Sequence, residues 1–337
     1  MTEIPVLPPG GVDGRVRPRA RAGIGTAAAE RPAADGARSM PAADLDPPAA
    51  AGGGGGLMNI LDRTTARGLA FVRRRLSGQY PVDEFGLDAE LADSVLMAPF
   101  RPLYDRWFRV EARGLEHVPG EGGALIVANH SGTLPLDAIM TTLALRDHHP
   151  SGRRLRPLGA HLLFETPFLG PLARKYGATV ACVPDAERLL RGGELVGVWP
   201  EGYKGLGKPF RDRYKLQRFG RGGFVAAALR TGAPIVPTAI VGAEEIYPMI
   251  GNLRTIARAV GLPYLPMTPT FPWLGPLGLI PMPSKWIIEF GDPISTMDQP
   301  PGSAEDPMLV FEIADRVRES IQQALYRLLM QRRSVFT

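Results

Sequence analysis

The chain has 337 residues, 45% of them hydrophobic, and a formal net charge of +5, so it can bury a substantial core in one large domain or two modest ones. Its one cysteine, Cys182, excludes an internal disulfide and a cysteine-rich metal site, and five histidines without a His-Glu-x-x-His pattern leave few metal ligands. The positive balance favours anionic partners such as a lipid surface, a coenzyme or nucleic acid, and no zinc-finger spacing or helix-turn-helix signature promotes the last of these.

Residues 1–56 are mostly Ala, Gly, Pro and Arg, contain no aromatic residue and end in the run Gly52 to Gly56. Such a stretch has little apolar surface to offset the entropy of ordering its backbone and is expected to be a disordered low-complexity tail. Its arginines and acids cancel, so the excess charge belongs to residues 57–337. The N-terminus lacks the long apolar core of a secretory signal. The expected location is therefore cytoplasmic, with peripheral association at the inner face of the cell membrane.

An N-terminal helical segment is expected over 57–99. Met58 to Leu76 sets Ile60, Leu61, Leu69 and Val72 among Arg63, Arg67, Arg73, Arg74 and Arg75. This fits a short basic helix that either lies on anionic lipid or packs on its own domain. Leu87 to Leu96 reads as a second helix, stopped near Pro99.

From residue 100 to 337 the pattern becomes that of a catalytic domain. Strands are predicted at Ala124–Asn129, Leu195–Trp199, Ile235–Ile240 and Trp286–Phe290, and helices at Asp137–Leu145, Phe168–Tyr176 and Gly222–Arg230. A long closing helix, Met308–Met330, has a buried stripe at Leu309, Ile313, Val317, Ile321, Leu325 and Leu328. The rhythm argues for an α/β fold, a mixed, largely parallel sheet covered by helices. Ala259 to Ser284 carries no formal charge but holds seven prolines. It reads as an apolar loop, lining a lipid pocket, resting on a membrane or packed on the core, and not as a membrane span.

Two constellations carry chemistry. Asn129-His130 ends an apolar strand, where α/β enzymes hold ligands, and a neutral imidazole there can take a proton from a hydroxyl. An aspartate on the other ring nitrogen would fix the tautomer. On one unbroken helix Asp137 would stand about 10 Å from His130, so Ser131 to Pro135 must fold back as a turn, which Gly132 and Pro135 permit. The second constellation is Pro200-Glu201-Gly202-Tyr203-Lys204-Gly205, followed by Lys208, Arg211, Arg213, Lys215, Arg218 and Arg221. These cations either neutralise a phosphate or form a solvated basic surface.

With the strand Ala233-Pro234-Ile235-Val236-Pro237, these blocks resemble the glycerolipid acyltransferase family that includes bacterial 1-acylglycerol-3-phosphate acyltransferases. The resemblance covers roughly residues 100–295 and implies a fatty acyl transfer from acyl-CoA or acyl carrier protein to a glycerolipid hydroxyl, without an acyl-enzyme or a further cofactor. It implies His130 as general base, Asp137 as its orienter, Glu201 and Gly202 as acceptor-binding residues, and Lys204, Lys208, Arg211 and His161 around the substrate. Backbone N–H groups near the two glycine-containing turns would stabilise the oxyanion.

The chain departs from the family in three places. The family has a shorter His–Asp spacing than the six intervening residues here, Lys204 replaces an arginine, and Ala181-Cys182 stand where an arginine often meets phosphate. Lysophosphatidic acid is the acceptor that the resemblance implies, and these departures admit a less charged lipid alcohol such as diacylglycerol. A thioester or ester hydrolase and a non-catalytic lipid-binding protein are the competing readings. The expected partners are the acyl donor, the glycerolipid and an anionic membrane surface, and not nucleic acid.

Overall fold

The computed structural model describes residues 68–132, 134–220, 222–259 and 261–336. The tail expected over 1–56, and residues 57–67 of the basic segment, lie outside the described residues. The described residues fall within one unit.

The strands are β1 (Glu111–Arg113), β2 (Ala124–Ala128), β3 (Leu155–Gly159), β4 (Thr179–Val180), β5 (Leu195–Val198), β6 (Ile235–Val241), β7 (Gly251–Asn252), β8 (Pro266–Met267) and β9 (Ile287–Phe290). Seven make one sheet in the order β1-β9-β6-β2-β5-β3-β4, and β7 and β8 make a separate antiparallel ladder. Within the large sheet only the β6–β9 pair is antiparallel. The sheet is thus mixed and largely parallel, as the alternation of strand and helix predicts.

β2 lies at the centre, with Leu125 opposite Val196 of β5 on one side and Ile235 of β6 on the other. A strand with neighbours on both edges and helices on both faces must be apolar throughout, and all five of its residues are fully buried. Alternate side chains enter opposite layers. Ala124, Ile126 and Ala128 pack with Met140, Leu143, Phe108 and Trp286, whereas Leu125 and Val127 pack with Leu189, Val225, Val317 and Leu325.

The main helices are α1 (Leu136–Leu143), α2 (Leu169–Tyr176), α3 (Val183–Arg191), α4 (Gly223–Thr231) and α5 (Pro307–Gln331). α5 begins at Asp306, whose side chain accepts from the N–H groups of Met308 and Leu309, with Pro307 in the first turn where its missing N–H costs nothing. Of its expected stripe, Ile313, Val317, Ile321, Leu325 and Leu328 are buried, and Leu309, in the first turn, is only partly so.

Among the elements that the sequence reading does not give are β3 and α3, and for one the reason is plain. β3 contains Arg156 and Pro157, which argue against a central strand. Arg156 is nevertheless buried because its guanidinium meets the Asp83 carboxylate at 2.6 Å and the Gly177 carbonyl at 3.0 Å. The other is α3, for which the sequence reading makes no assignment although its Ala186, Leu189 and Leu190 are buried at helical spacing.

The described end of the basic segment, 68–76, is helical. Its charges do not all face outward: Arg74 pairs with Glu90 and Arg75 with the buried Asp88. Leu69, Val72 and Leu76 on the same helix are exposed. No helix among the described residues is long and apolar enough to cross a membrane.

Candidate active site

His130 follows the C-terminal end of β2, two residues beyond Ala128. Asn129 fixes the exit from the strand, since its side-chain Oδ1 accepts from the Ile240 N–H at 2.8 Å while its Nδ2 donates to the Ile240 carbonyl at 3.0 Å. A side-chain amide thereby extends the ladder to β6 one step past the strand, and Asn129 is fully buried. Only Asn offers a donor and an acceptor at this reach.

From there the chain turns back on itself through Gly132, which has φ 76° and lies against the Ala243 carbonyl. That left-handed geometry suits glycine. Helix α1 starts at Leu136 and places Asp137 in its first turn. The Nδ1 atom of His130 lies 2.7 Å from Asp137 Oδ2. The wide His–Asp spacing is therefore absorbed by the loop, as the turn argument requires.

Asp137 is fully buried, and its Oδ2 also accepts from the Ser131 N–H at 2.9 Å while Oδ1 accepts from the Ala138 N–H at 2.8 Å. Two backbone N–H groups already donate to these oxygens, so the carboxylate meets the ring as an acceptor. The imidazole proton then sits on Nδ1, and Nε2 is left open. The His130 side chain keeps 12% of its surface exposed, so the base faces the outside of the fold while its partner does not. The Trp199 ring packs beside it, with centroids 5.9 Å apart.

Glu201 arrives from the loop after β5, and the structure gives it a task the sequence did not suggest. Its Oε1 accepts from the His130 backbone N–H at 2.9 Å, and its Oε2 accepts from the Gln217 N–H at 2.7 Å. Lys208 Nζ stands 3.5 Å from Glu201 Oε2 and 3.2 Å from Glu244 Oε1. All three side chains are buried. Burial pushes the Glu244 carboxyl up to about 7, against the pull of Lys208. Glu201 is thus a strut between two loops. Lys208 is the counter-ion of that strut and does not face the surface, where a phosphate would meet it.

The rest of the cationic run disperses. Arg211 points into solvent beside Asp212, Lys215 also faces Asp212, Arg213 stacks on Phe210, and Arg218 lies over Phe311. His161 is exposed and faces Glu165 of its own helix. Lys204 is exposed within the loop itself and has no ion pair among the described residues. Arg221 lies outside the described residues.

Gly202 takes φ 54°, and Gly205 sits where an added Cβ would come within 2.8 Å of the His130 carbonyl oxygen and 2.9 Å of its Cβ. The second glycine of the motif exists so that this loop can lie directly on the backbone of the base. The N–H groups of Gly202, Lys204 and Gly205 are turned inward, onto the carbonyls of Trp199, Glu201 and Gly202. Of the turns expected to supply oxyanion donors, this one therefore holds those three in its own hydrogen bonds. Tyr264 closes the other side, with its ring over Gly207; burial, aided by the Asp137 charge, pushes its phenol up.

An imidazole at the carboxyl edge of an α/β sheet, one nitrogen locked by a buried carboxylate and the other open, defines a general-base enzyme acting on an exposed substrate. The comparisons say which kind. The acyltransferase family model matches residues 109–241, which span β1 to β6 and hold both halves of the site. An uncharacterized protein of Mycobacterium tuberculosis is 55% identical over 82% of this chain and 78% of its own length. One of Mycobacterium leprae is 56% identical over 79% and 72%. A human protein named DGAT1/2-independent enzyme synthesizing storage lipids is 26% identical over 64% of this chain and 60% of its own. The crystal structure of the 1-acyl-sn-glycerophosphate acyltransferase PlsC from Thermotoga maritima superposes with a TM-score of 0.45 at 18% identity, over 71% of this chain and 80% of that one.

The chain belongs to the glycerolipid acyltransferase family. Its chemistry is acyl transfer from a thioester to a glycerolipid hydroxyl, and the paired His130 and Asp137 lie within the matched residues. The non-catalytic reading is thereby set aside.

Proposed function

We propose that the acceptor is a neutral glycerolipid alcohol, a mono- or diacylglycerol, acylated at the membrane surface from acyl-CoA or acyl carrier protein. The observation that carries this reading is the fate of the cations after Glu201. A phosphate monoester needs convergent cations, yet Lys208 is neutralised in the core and Arg211, Arg213 and Lys215 turn elsewhere. Ala181 and Cys182 add none. The human relative named for storage-lipid synthesis supports a neutral product. Lysophosphatidic acid, the acceptor that the resemblance implies, rests on Lys204, which is exposed three residues after Glu201.

In this reading Nε2 of His130 takes the proton of the acceptor hydroxyl as its oxygen attacks the thioester carbonyl. The imidazolium that forms is stabilised by Asp137, and the thiolate leaves and recovers the proton. Peripheral attachment to the inner face of the cell membrane is part of the proposal. The exposed Leu69, Val72 and Leu76 of helix 68–76 would add an apolar contact to it without being its anchor. The electrostatic share is smaller than the sequence suggests, since Arg74 and Arg75 are spent on Glu90 and Asp88. Residues 1–56 lie outside the catalytic body in this scheme.

The test is mass spectrometry of products from a mixed panel of acyl donors with diacylglycerol, monoacylglycerol and lysophosphatidic acid. Triacylglycerol or diacylglycerol as main product is expected, and His130→Ala should lower turnover at least ~100-fold with the fold intact. Phosphatidic acid as main product would reverse the choice of acceptor. Free fatty acid released regardless of acceptor would favour a hydrolase.

A further inference from the structure

From Ile246 to Ile288 the sequence holds no aspartate or glutamate. Within that stretch the structure builds an ordered platform that turns large apolar side chains outward. Thr268 and Phe271 bind each other twice, Phe271 N–H to Thr268 Oγ1 at 2.9 Å and Thr268 N–H to the Phe271 carbonyl at 2.8 Å. Thr270 Oγ1 donates to the Gly278 carbonyl at 3.3 Å. The body grips the platform from below: the Tyr247 hydroxyl donates to the Leu279 carbonyl, and Trp107 Nε1 to the Pro281 carbonyl at 3.0 Å.

On this frame Trp273 is 69% exposed and Leu277 66%, with Leu274 and Ile280 more than half exposed. Ile250, whose N–H donates to the Met267 carbonyl beside the β7–β8 ladder, and Ile256 on the helix Arg254–Ala259 are also exposed. A scaffold that fastens its backbone while presenting indole and leucine to water has the character of an interface, not of a loop awaiting a core. Tryptophan in particular suits the boundary between hydrocarbon and headgroup.

We propose that this face, centred on Trp273 and Leu277, is the surface through which the protein docks on an anionic phospholipid bilayer. Charge selects the bilayer as occupant. The cations beside the apolar side chains, Arg254 and Arg258, are exposed and have no ion pair among the described residues, and no acid interrupts the stretch. The face also continues to the site: Tyr264, three residues before β8 ends, packs over Gly207 of the loop that carries Glu201. A lipid alcohol could pass from the bilayer to His130 along that wall without crossing water. This rationale rests on the lipid acceptor proposed above, but the docking itself does not, and it is read without turnover.

The experiment uses the full chain and vesicles of phosphatidylcholine and phosphatidylglycerol in equal parts, some carrying brominated acyl chains that quench nearby indoles. The chain has four tryptophans; Trp199 and Trp286 are buried and Trp107 is 39% exposed with its Nε1 held by the Pro281 carbonyl, so Trp273, at 69%, should dominate the quenching. Quenching is expected in the wild type, should largely vanish in Trp273→Phe, and should weaken in neutral vesicles or high salt. Trp273→Glu combined with Leu277→Glu should raise the lipid concentration for half-maximal quenching by about ten-fold or more, with its melting temperature and its turnover on detergent-dispersed substrate unchanged.

Vesicle binding without quenching that depends on Trp273 would overturn the proposal, because another face would then be the anchor. A wild type that sediments as an oligomer while the doubly charged variant is monomeric would also overturn it, by assigning the face to a second copy. Inactivity on every lipid alcohol would refute the acceptor reading and leave the docking result standing.

Discussion

Glu244 is the residue through which the internal ion network can be weighed. Burial raises its carboxyl from 4.5 to about 7, so between those values the folded chain holds a proton that the unfolded chain has lost. Stability from this group is therefore fully present below about pH 4.5, declines as pH rises to about 7, and is absent above. Each pH unit is worth about 1.36 kcal/mol, so the interval from 4.5 to about 7 amounts to about 3 kcal/mol in order of magnitude.

Glu244→Gln mimics the protonated form in shape and keeps an acceptor for Lys208, which retains Glu201 as its ionic partner. The variant should accordingly be more stable than the wild type by about 3 kcal/mol at about pH 8, and the two should converge near about pH 5. Urea unfolding of both chains across this range measures the difference at each pH. The difference between the curves isolates this one carboxyl, because every other titrating group is common to both. A variant that is less stable at about pH 8, or a difference that does not change with pH, would refute the reasoning and mean that the Lys208–Glu244 attraction outweighs desolvation.

Asp137→Asn should lower turnover by roughly 1,000-fold or more while leaving the chain folded. Either orientation of the amide turns its NH2 toward an N–H donor, of Ala138 or of Ser131, and in the second the ring must adopt the tautomer that lacks a base at Nε2. Turnover within ten-fold of wild type would dismiss the orienting role. Gly205→Ala should cost about 1–3 kcal/mol by thermal or urea unfolding and reduce turnover more than it reduces acceptor affinity, because the new methyl meets His130 and not the solvent side of the loop. Unchanged turnover would mean that the loop gives way without moving the base.

The fold and the pairing of His130 with Asp137 were legible in the sequence because both depend on local signals. A short unbroken apolar run such as Ala124–Ala128, ended by a polar pair, fits a buried strand, and seven positions of helix cannot bring Asp137 to His130, so the turn was required. What was not legible depends on partners distant in the chain. Arg156 looked incompatible with a strand until Asp83 neutralised it across the fold. Lys208 and Arg211 are alike in sequence, three positions apart in one basic run, yet one is buried between two glutamates and the other is solvated. No spacing rule separates them, because the difference is made by Glu244, which arrives after β6.

The role of Glu201 follows from the same geometry. Glu201 must receive two backbone N–H groups, from His130 and from Gln217, at the two ends of one carboxylate. A glutamine could accept one and would present its NH2 to the other, while an aspartate would fall short of one loop. A buried carboxylate with two donors still carries a net charge that the core must balance, which is what Lys208 supplies at 3.5 Å. The acid of the second motif thus holds the base in place through its backbone. Asp137 holds the same residue through its ring, so the two carboxylates leave His130 with a single free atom, Nε2, facing the substrate side.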